Sequence, residues 1–532
     1  MFTNKTRLAS ALTFALMALS THAQSAAPLS FALTGYAVQG NTLLSAEQVK
    51  QSTQPFISPQ ASFETIQLAL ESLEKAYITA GFGSVRVEIP EQEIAAGIVT
   101  LHVVEGRLGE VSIAPNPHYD GDNVRHALSA LQSGEAVNIV ALNRNLMLAN
   151  ESGSKVTNVT FKRSANNRDV DADITVAAEN PERWLALIDN TGSVATGRYR
   201  TGLIYQNANL FNRDHGLSLQ AMTSPDHLSD VRILGLSYRV PLYRLGDALD
   251  FNASSSTVDS GPVSSAGGGP DLTISGSGLM LGARYTHNFE ATAERQQSLG
   301  LGLEHRAYGN SVTPVGTAAS LVPDLTTHPL TLVYTSNWRS ATRDVTASVS
   351  LLKNIPGGHN GSTADFNQTG GRAGADASFQ TLKFNLQHTE RFGTQWMLRS
   401  ALSGQVTQDL LIAAEQFGVG GADSVRGFGE REIAGDQGLR AGIELWAPPY
   451  NLDPWRMIAL AFFDAARITR NQPGPSEVAG QTVSSIGLGL RSGYGRNFSL
   501  RLDWGVVTQG VSGISGPARS DQKLHASATW VF

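Results

Sequence analysis

The chain has 532 residues and no cysteine, which excludes disulfides, thiolate metal sites and cysteine nucleophiles. Its 40 Lys and Arg against 46 Asp and Glu give a formal charge of -6, a balance with no sign of nucleic-acid binding. The 53 glycines suit tight turns and a β-wall that must curve.

In chain order, residues 1–23 read as a secretory signal. Lys5 and Arg7 precede an apolar run from Leu8 to Leu19, and Thr21-His22-Ala23 offers a small-residue cleavage site. The run is too short to span a bilayer, so the mature chain is expected to begin near Gln24. Residues 24–106 and 107–180 then read as two small α+β modules. In the first, Phe31 to Gln39, Val85 to Ile89 and Ile98 to Val104 are expected strands. Phe63, Ile66, Leu70, Leu73 and Tyr77 fall at helical spacing on one face, a stripe best read as plain core. The second repeats the order with strands at Leu108 to Ala114, Lys155 to Lys162 and Ala172 to Ala177, and helices at Asn123 to Leu131 and Ile139 to Leu148. Small sheets of this kind leave unpaired backbone groups along an edge, where an extended client could add a strand.

Residues 181–532 have a different texture: stretches of roughly ten residues alternate apolar with small or polar residues and are separated by turns. Phe498, Leu500, Leu502, Trp504 and Val506 share one face, and Ser499, Arg501, Asp503 and Gly505 the other. Leu524, Ala526, Ala528, Trp530 and Phe532 repeat the pattern against His525, Ser527 and Thr529. In lipid every backbone donor and acceptor must be satisfied within the protein, so alternation of this kind fits a closed barrel with an apolar outside. A large soluble β-sandwich also alternates, and alternation alone leaves it open.

Sixteen candidate strands start near Arg183, Tyr199, Gly216, Val231, Ala248, Gly278, Ser298, Pro329, Asp344, Phe379, Gln395, Leu439, Met457, Ser484, Phe498 and Lys523. Their connections alternate in length. Val258 to Ile274, Asn310 to Thr327, Pro356 to Ala377, Leu410 to Gly438, Thr469 to Val483 and Gln509 to Gln522 are long. Tyr243 to Gly246, Arg339 to Arg343, Phe392 to Thr394 and Gly493 to Asn497 are short. An even strand number with short turns on one side and long loops on the other is the habit of outer-membrane barrels, and a sandwich has no reason to follow it. The expected fold is an all-β transmembrane barrel of 16 antiparallel strands, preceded by the two α+β modules.

Specific motifs carry a family resemblance over nearly the whole mature chain. Gly35-Tyr36, Gly40-Asn41-Thr42-Leu43-Leu44, Tyr77, Gly81-Phe82, Ile89-Pro90-Glu91-Gln92 and Val104-Glu105-Gly106-Arg107 resemble the polypeptide-transport-associated (POTRA) domains of two-partner secretion transporters. In the barrel the resemblance sharpens at Glu415-Gln416-Phe417, Gly420-Gly421, Ser424-Val425-Arg426-Gly427-Phe428, Gly435-Asp436-Gly438, Glu444-Leu445 and Phe462-Phe463-Asp464, the last matching an F-x-D pattern. The resemblance is to the ShlB/FhaC/HecB haemolysin secretion/activation type. It implies a bacterial outer-membrane pore with periplasmic POTRA domains that captures a large secreted exoprotein, of haemolysin or adhesin kind, and exports it without nucleotide.

The same resemblance implies that loop 410–438 folds into the lumen and that its motif, Val425, Arg426, Gly427 and Phe428, meets the wall motif of Phe462 and Asp464. Glu415, Phe417, Gly435, Asp436 and Glu444 would support that loop. Read without it, Arg426 stands equally well as a solvated cation beside Asp423 and Glu430. Trp530 and Phe532 resemble the terminal signal by which the barrel assembly machinery recognises its substrates. Lipid and lipopolysaccharide are the implied surroundings. Some family members carry a plug helix ahead of the first module; only Gln24 to Ser30 are available here, about two turns at 3.6 residues each.

Enzymatic readings find no support in the motifs: there is no G-x-S-x-G, no G-x-x-x-x-G-K-[ST] and no H-E-x-x-H, and the 12 His are scattered. No cofactor or metal is expected. Two other functions use similar parts. An assembly factor that inserts other barrels shares both modules and barrel, and a passive porin would need only the barrel.

Overall fold

The computed structural model describes residues 30–532 apart from 167, 195, 264–271, 315–319, 475–476 and 512–515. The expected signal 1–23, and all of Gln24 to Ser30 but its last residue, lie outside the described residues.

The first module is organised by its helix Phe63–Thr79, which starts at a reciprocal cap between Ser62 and Thr65. Ile66, Ala69, Leu73 and Tyr77 are its buried stripe. Phe63, expected on that stripe, is the first helical residue and stays 65% exposed. A further helix, Ala46–Thr53, was not legible in the sequence because Val49 is its only large apolar residue; the Ser45–Gln48 capping box starts it. In the sheet, Ile98–Val104 is central, with Gly35–Gln39 parallel on one side and Arg86–Glu88 antiparallel on the other. The expected first strand is shorter than Phe31 to Gln39, with Phe31 making only an isolated bridge to Ala61.

The second module has Val170–Ala178 as its central strand, flanked by Leu108–Ile113 and Lys155–Arg163, and carries helices Gly121–Ala127 and Ile139–Ala149. It is joined to the barrel by a buried polar junction. Lys155 Nζ lies 2.6 Å from Asp214 Oδ1 and 3.1 Å from Asn123 Oδ1. Tyr243 donates its hydroxyl to Asp214 Oδ2 at 2.6 Å, and Asn145 Nδ2 donates to the Tyr243 carbonyl at 2.7 Å. Burial pushes the Lys155 ammonium below its usual range while Asp214 pulls it back, and burial beside Asp214 raises the Tyr243 phenol. Arg239 of the barrel adds a forked pair to Glu151. Asp214 and Tyr243 sit at two short barrel turns, so the short turns share the side of the second module.

Among the described residues, sixteen long strands close the barrel, with the short segments Leu325–Thr327 and Tyr450–Leu452 added to neighbours. Every long strand is antiparallel to the next. The last, Gln522–Val531, closes on the first, Glu182–Asp189, from Ser527 with Asp189 to Val531 with Leu185. Asn190 lengthens this seam with its side chain, accepting from Ala526 N at 2.9 Å and donating to the Leu524 carbonyl at 2.7 Å. Two loops are shorter than expected: strands run on to Val263 and resume at Leu272, and Arg295–Pro314 passes beyond Asn310. Hairpin pairing continues above the apolar band in both places, where the sequence no longer alternates and reads as loop.

The outward face is the apolar one: Leu301, Leu303, Leu382, Leu386, Ile443, Ile486, Leu488, Trp504 and Leu524 are exposed, whereas Asp464, Asp503 and His525 are buried within. Trp455, Tyr494, Phe498 and Trp530 form a continuous chain of ring contacts at the short-turn end, the position of an interfacial aromatic girdle. Leu488, 59% exposed at the middle of Gly480–Tyr494, is therefore lipid-facing. Leu488→Arg is expected to cost about 2 to 4 kcal/mol near the bilayer midplane. Folding titrations into lipid vesicles check this, and unchanged folding would mean that the faces are reversed.

Candidate functional site

The loop between the eleventh wall strand, Trp396–Val406, and the twelfth, Gln437–Trp446, turns inward instead of standing above the barrel. Both of its ends are pinned by buried carboxylates. Glu415 accepts from Arg306 Nη1 at 2.9 Å on each oxygen, from Tyr308 Oη at 3.1 Å and from Thr327 Oγ1 at 3.1 Å. Asp436 accepts from Leu411 N at 2.8 Å, Asn471 N at 2.7 Å and Arg372 Nη2 at 2.7 Å. Gln405 on the wall donates to the carbonyls of both Glu415 and Asp436, so one amide ties the two ends together. Between them Phe417–Val419 and Ile433–Gly435 pair as a small antiparallel hairpin. Gly435 is a contact requirement: a Cβ there would stand 2.5 Å from Ile468 Cγ2.

The tip carries Val425, Arg426, Gly427 and Phe428. Val425 and Phe428 are fully buried in an apolar cluster with Val419, Ile433, Ala466, Ile468, Val483 and Val507, and Phe417 packs against it. This apolar anchor lets the tip hold a charge against the wall. Arg426 Nε and Nη2 donate to Asp464 Oδ2 and Oδ1 at 2.7 and 3.0 Å, and the Arg426 backbone N–H donates to the same Oδ2 at 3.2 Å. Nη1 reaches Glu444 Oε1 at 2.7 Å. The guanidinium lies over the Phe462 ring, 3.4 Å from its centroid. Phe462 and Asp464, two residues apart on the thirteenth wall strand Trp455–Thr469, thus present a flat apolar floor and a fork for one planar cation.

Depth follows from register. Asp464 stands five residues from the outer end of its strand at Thr469, roughly 17 Å along it at about 3.4 Å per residue. The two carboxylates beside Arg426 in the sequence are engaged elsewhere. Asp423 pairs with Arg501, and Glu430 accepts from Ala422 N at 2.8 Å.

Several participants carried no motif. Asp503, fully buried, is forked by Arg491 at 2.9 and 3.0 Å, takes Arg501 Nε at 2.7 Å and stands 3.6 Å from Arg426 Nη1. His525 Nε2 accepts from the Gly427 N–H at 3.2 Å. Glycines of the wall make room for the tip: a Cβ on Gly505 would meet Gly427 N at 2.7 Å, and one on Gly442 would meet Asp464 Oδ1 at 2.9 Å. Gly427 itself has φ +95°, a left-handed turn that a side chain would strain. The signal that could have found these residues is charge or glycine on the inward positions of consecutive strands, as at Gly487, Gly489, Arg491, Arg501, Asp503 and Gly505. Trp530 and Phe532 lie at the seam, remote in sequence and function from the tip. Phe532 exchanges backbone hydrogen bonds with Trp184 at 2.9 Å each way. Among the described residues no cluster of three or more His, Asp or Glu is arranged to hold a metal.

Residues 170–492 match the family described as haemolysin secretion/activation protein ShlB/FhaC/HecB, and residues 31–106 match the ShlB-type POTRA domain. A curated relative, the outer membrane transporter CdiB of Escherichia coli O6:K15:H31, is 24% identical over 77% of this chain and 67% of its own length. The solved structure of CdiB from Escherichia coli aligns over 97% of this chain and 93% of its own, with a TM-score of 0.77 at 16% identity. CdiB from Acinetobacter baumannii aligns over 94% and 90%, with a TM-score of 0.73 at 15% identity.

Gly505→Val is expected to leave the wall intact and lift the tip out of its seat, because the added methyls occupy the place of the Gly427 amide. Protease cleavage within 420–430 of the protein in lipid checks this; an uncleaved tip identical to the wild type would contradict it.

Proposed function

Because the chain belongs to the ShlB/FhaC/HecB haemolysin secretion/activation family of two-partner secretion transporters in the outer membrane, we propose that its lumenal loop is a strut that Arg426 holds across the pore and that must shift for a client to pass. The client is a large secreted exoprotein. It is captured in extended form by the periplasmic modules and threaded through the barrel to the cell surface.

The observation that carries this reading is the seating of Arg426. Its fork, its floor and its backbone donor all converge on two residues of one wall strand, while apolar neighbours hold the tip. Breaking a well-buried pair of this kind costs on the order of 3 to 5 kcal/mol, less where water reaches it. That is large enough to keep a resting pore closed and small enough for an arriving client to offset by new contacts.

Client capture fits the first module. Its sheet has only three strands. At the Arg86–Glu88 edge Val87 N donates to Glu74 Oε1 at 3.0 Å, whereas the outer edge of Gly35–Gln39 has no further strand beside it among the described residues. Strand addition there supplies main-chain hydrogen bonds with little demand on client sequence. No catalytic step and no nucleotide enter the proposal. Net movement outward follows from folding of the client outside the cell, which removes it from the equilibrium across the pore. We assign recognition by the barrel assembly machinery to Trp530 and Phe532 on the closing strand, and contact with lipid and lipopolysaccharide to the apolar outer band.

Arg426→Ala is expected to keep heat-modifiable migration of the barrel and to abolish client secretion; normal secretion by an assembled mutant would sink the strut. Deleting residues 31–104 separates pore from capture. The truncated protein is expected to conduct ions and to lose export, whereas retained export would mean that the first module is not the client's entry point.

A further inference from the structure

Beside the Arg426 seat lies a polar cavity of about 290 Å³. Around it five guanidinium groups, of Arg399, Arg426, Arg440, Arg491 and Arg501, meet four carboxylates, of Asp423, Glu444, Asp464 and Asp503. One positive charge is left over. His388 on the same cavity stands 3.6 Å from Glu390, which also pairs with Arg343.

The surplus can be assigned. Arg426 is held by Asp464 and Glu444, Arg491 by Asp503, and Arg501 by Asp503 and Asp423. Arg399 lies 4.0 Å from Glu444 and over the Trp446 ring. The Arg440 side chain makes no ion pair or hydrogen bond among the described residues, and its Nε is buried with no partner. It sits on the twelfth wall strand opposite Ala466 and two residues from Gly442, the position opposite Asp464. A guanidinium with its Nε unpartnered, lining a polar cavity, favours an anion that can accept from its planar fork. That space takes one carboxylate side chain and its hydration but not a folded segment.

We propose that this cavity is a carboxylate-binding site inside the pore, with Arg440 as its recognition group and Arg399 as a second donor at its mouth. The proposal deepens the export reading and rests on it for the identity of the occupant. An Asp or Glu side chain of a translocating client would dock here, next to the pair that holds the strut. The same chemistry would also take a free oxyanion.

Calorimetry on the full-length protein in detergent tests this without any export step, so its outcome is separable from that of the transport reading. The probes are a ten-residue glutamate-rich peptide, its glutamine counterpart and inorganic phosphate. The wild type is expected to bind the glutamate peptide and not the glutamine one, with affinity at least tenfold lower in Arg440→Gln. Arg440→Lys, which keeps the charge and loses the fork, is expected to bind several-fold more weakly than wild type, and serves if the Gln variant does not fold. Phosphate binding that Arg440→Gln abolishes, without peptide binding, supports the site with a free oxyanion as its occupant. Equal affinity of wild type and both variants for every anion, or no binding by the wild type, would overturn it.

Discussion

A backbone in hydrocarbon cannot leave its hydrogen-bonding groups unpaired, and this constraint decides almost everything else in the molecule. It forces the sixteen strands into a closed ladder and fixes the alternation of lipid-facing and lumen-facing residues. It also makes the seam the one place where the ladder is short. There the Asn190 side chain stands in for missing backbone partners, bonding to Leu524 and Ala526 of the closing strand. With the outside committed to lipid, any charged chemistry must face inward, and the lumen becomes crowded with arginines and carboxylates.

The inward loop is the structural answer to that crowding. Glu415 and Asp436 satisfy cations and backbone donors at its two ends, Val425 and Phe428 bury its tip, and Arg426 spans to Asp464. Each device is of a different kind: charge at the ends, apolar packing at the tip, a planar fork between them. The loop's hairpin is a separate sheet and not part of the wall ladder, so in the proposed export reading it could shift without opening the barrel. The second module makes a contrasting arrangement, because the Lys155–Asp214–Tyr243 junction fixes it to the short turns. In the first module, by contrast, the edge strand Gly35–Gln39 has no further strand beside it among the described residues.

Much of this was legible in the sequence, and for physical reasons. The period-two alternation is imposed by the lipid face on every strand, so fifteen of the sixteen strand starts could be read to within four residues, Gly278 lying six from the observed Leu272. Where strands extend above the membrane, near Val263 and Pro314, that face disappears and the pattern with it. Arg426 and Asp464 were nameable only through motif resemblance, since the residues alone allow a solvated arginine beside Asp423 and Glu430. Asp503 and His525 could be placed on the polar face of their strands, but the partners of Asp503, Arg491, Arg440 and His525 could not be read. Their partners come from strands distant in sequence, and only the closed register brings them to one point. Helix Ala46–Thr53 escaped for a simpler reason, having almost no apolar stripe to mark it.

In the proposed export reading, the seated loop tip must leave the wall before a client passes. The chain has no cysteine, so cysteines introduced at Val425 and Val507, both members of the buried tip cluster, are the tether to try between the tip and the fifteenth strand, Phe498–Gln509. The most direct measurement is client secretion by that double variant in oxidised and reduced form, with closure of the tether verified by mass spectrometry. No secretion is expected when the tether is closed, and recovery on reduction. Equal secretion in both states would contradict that reading.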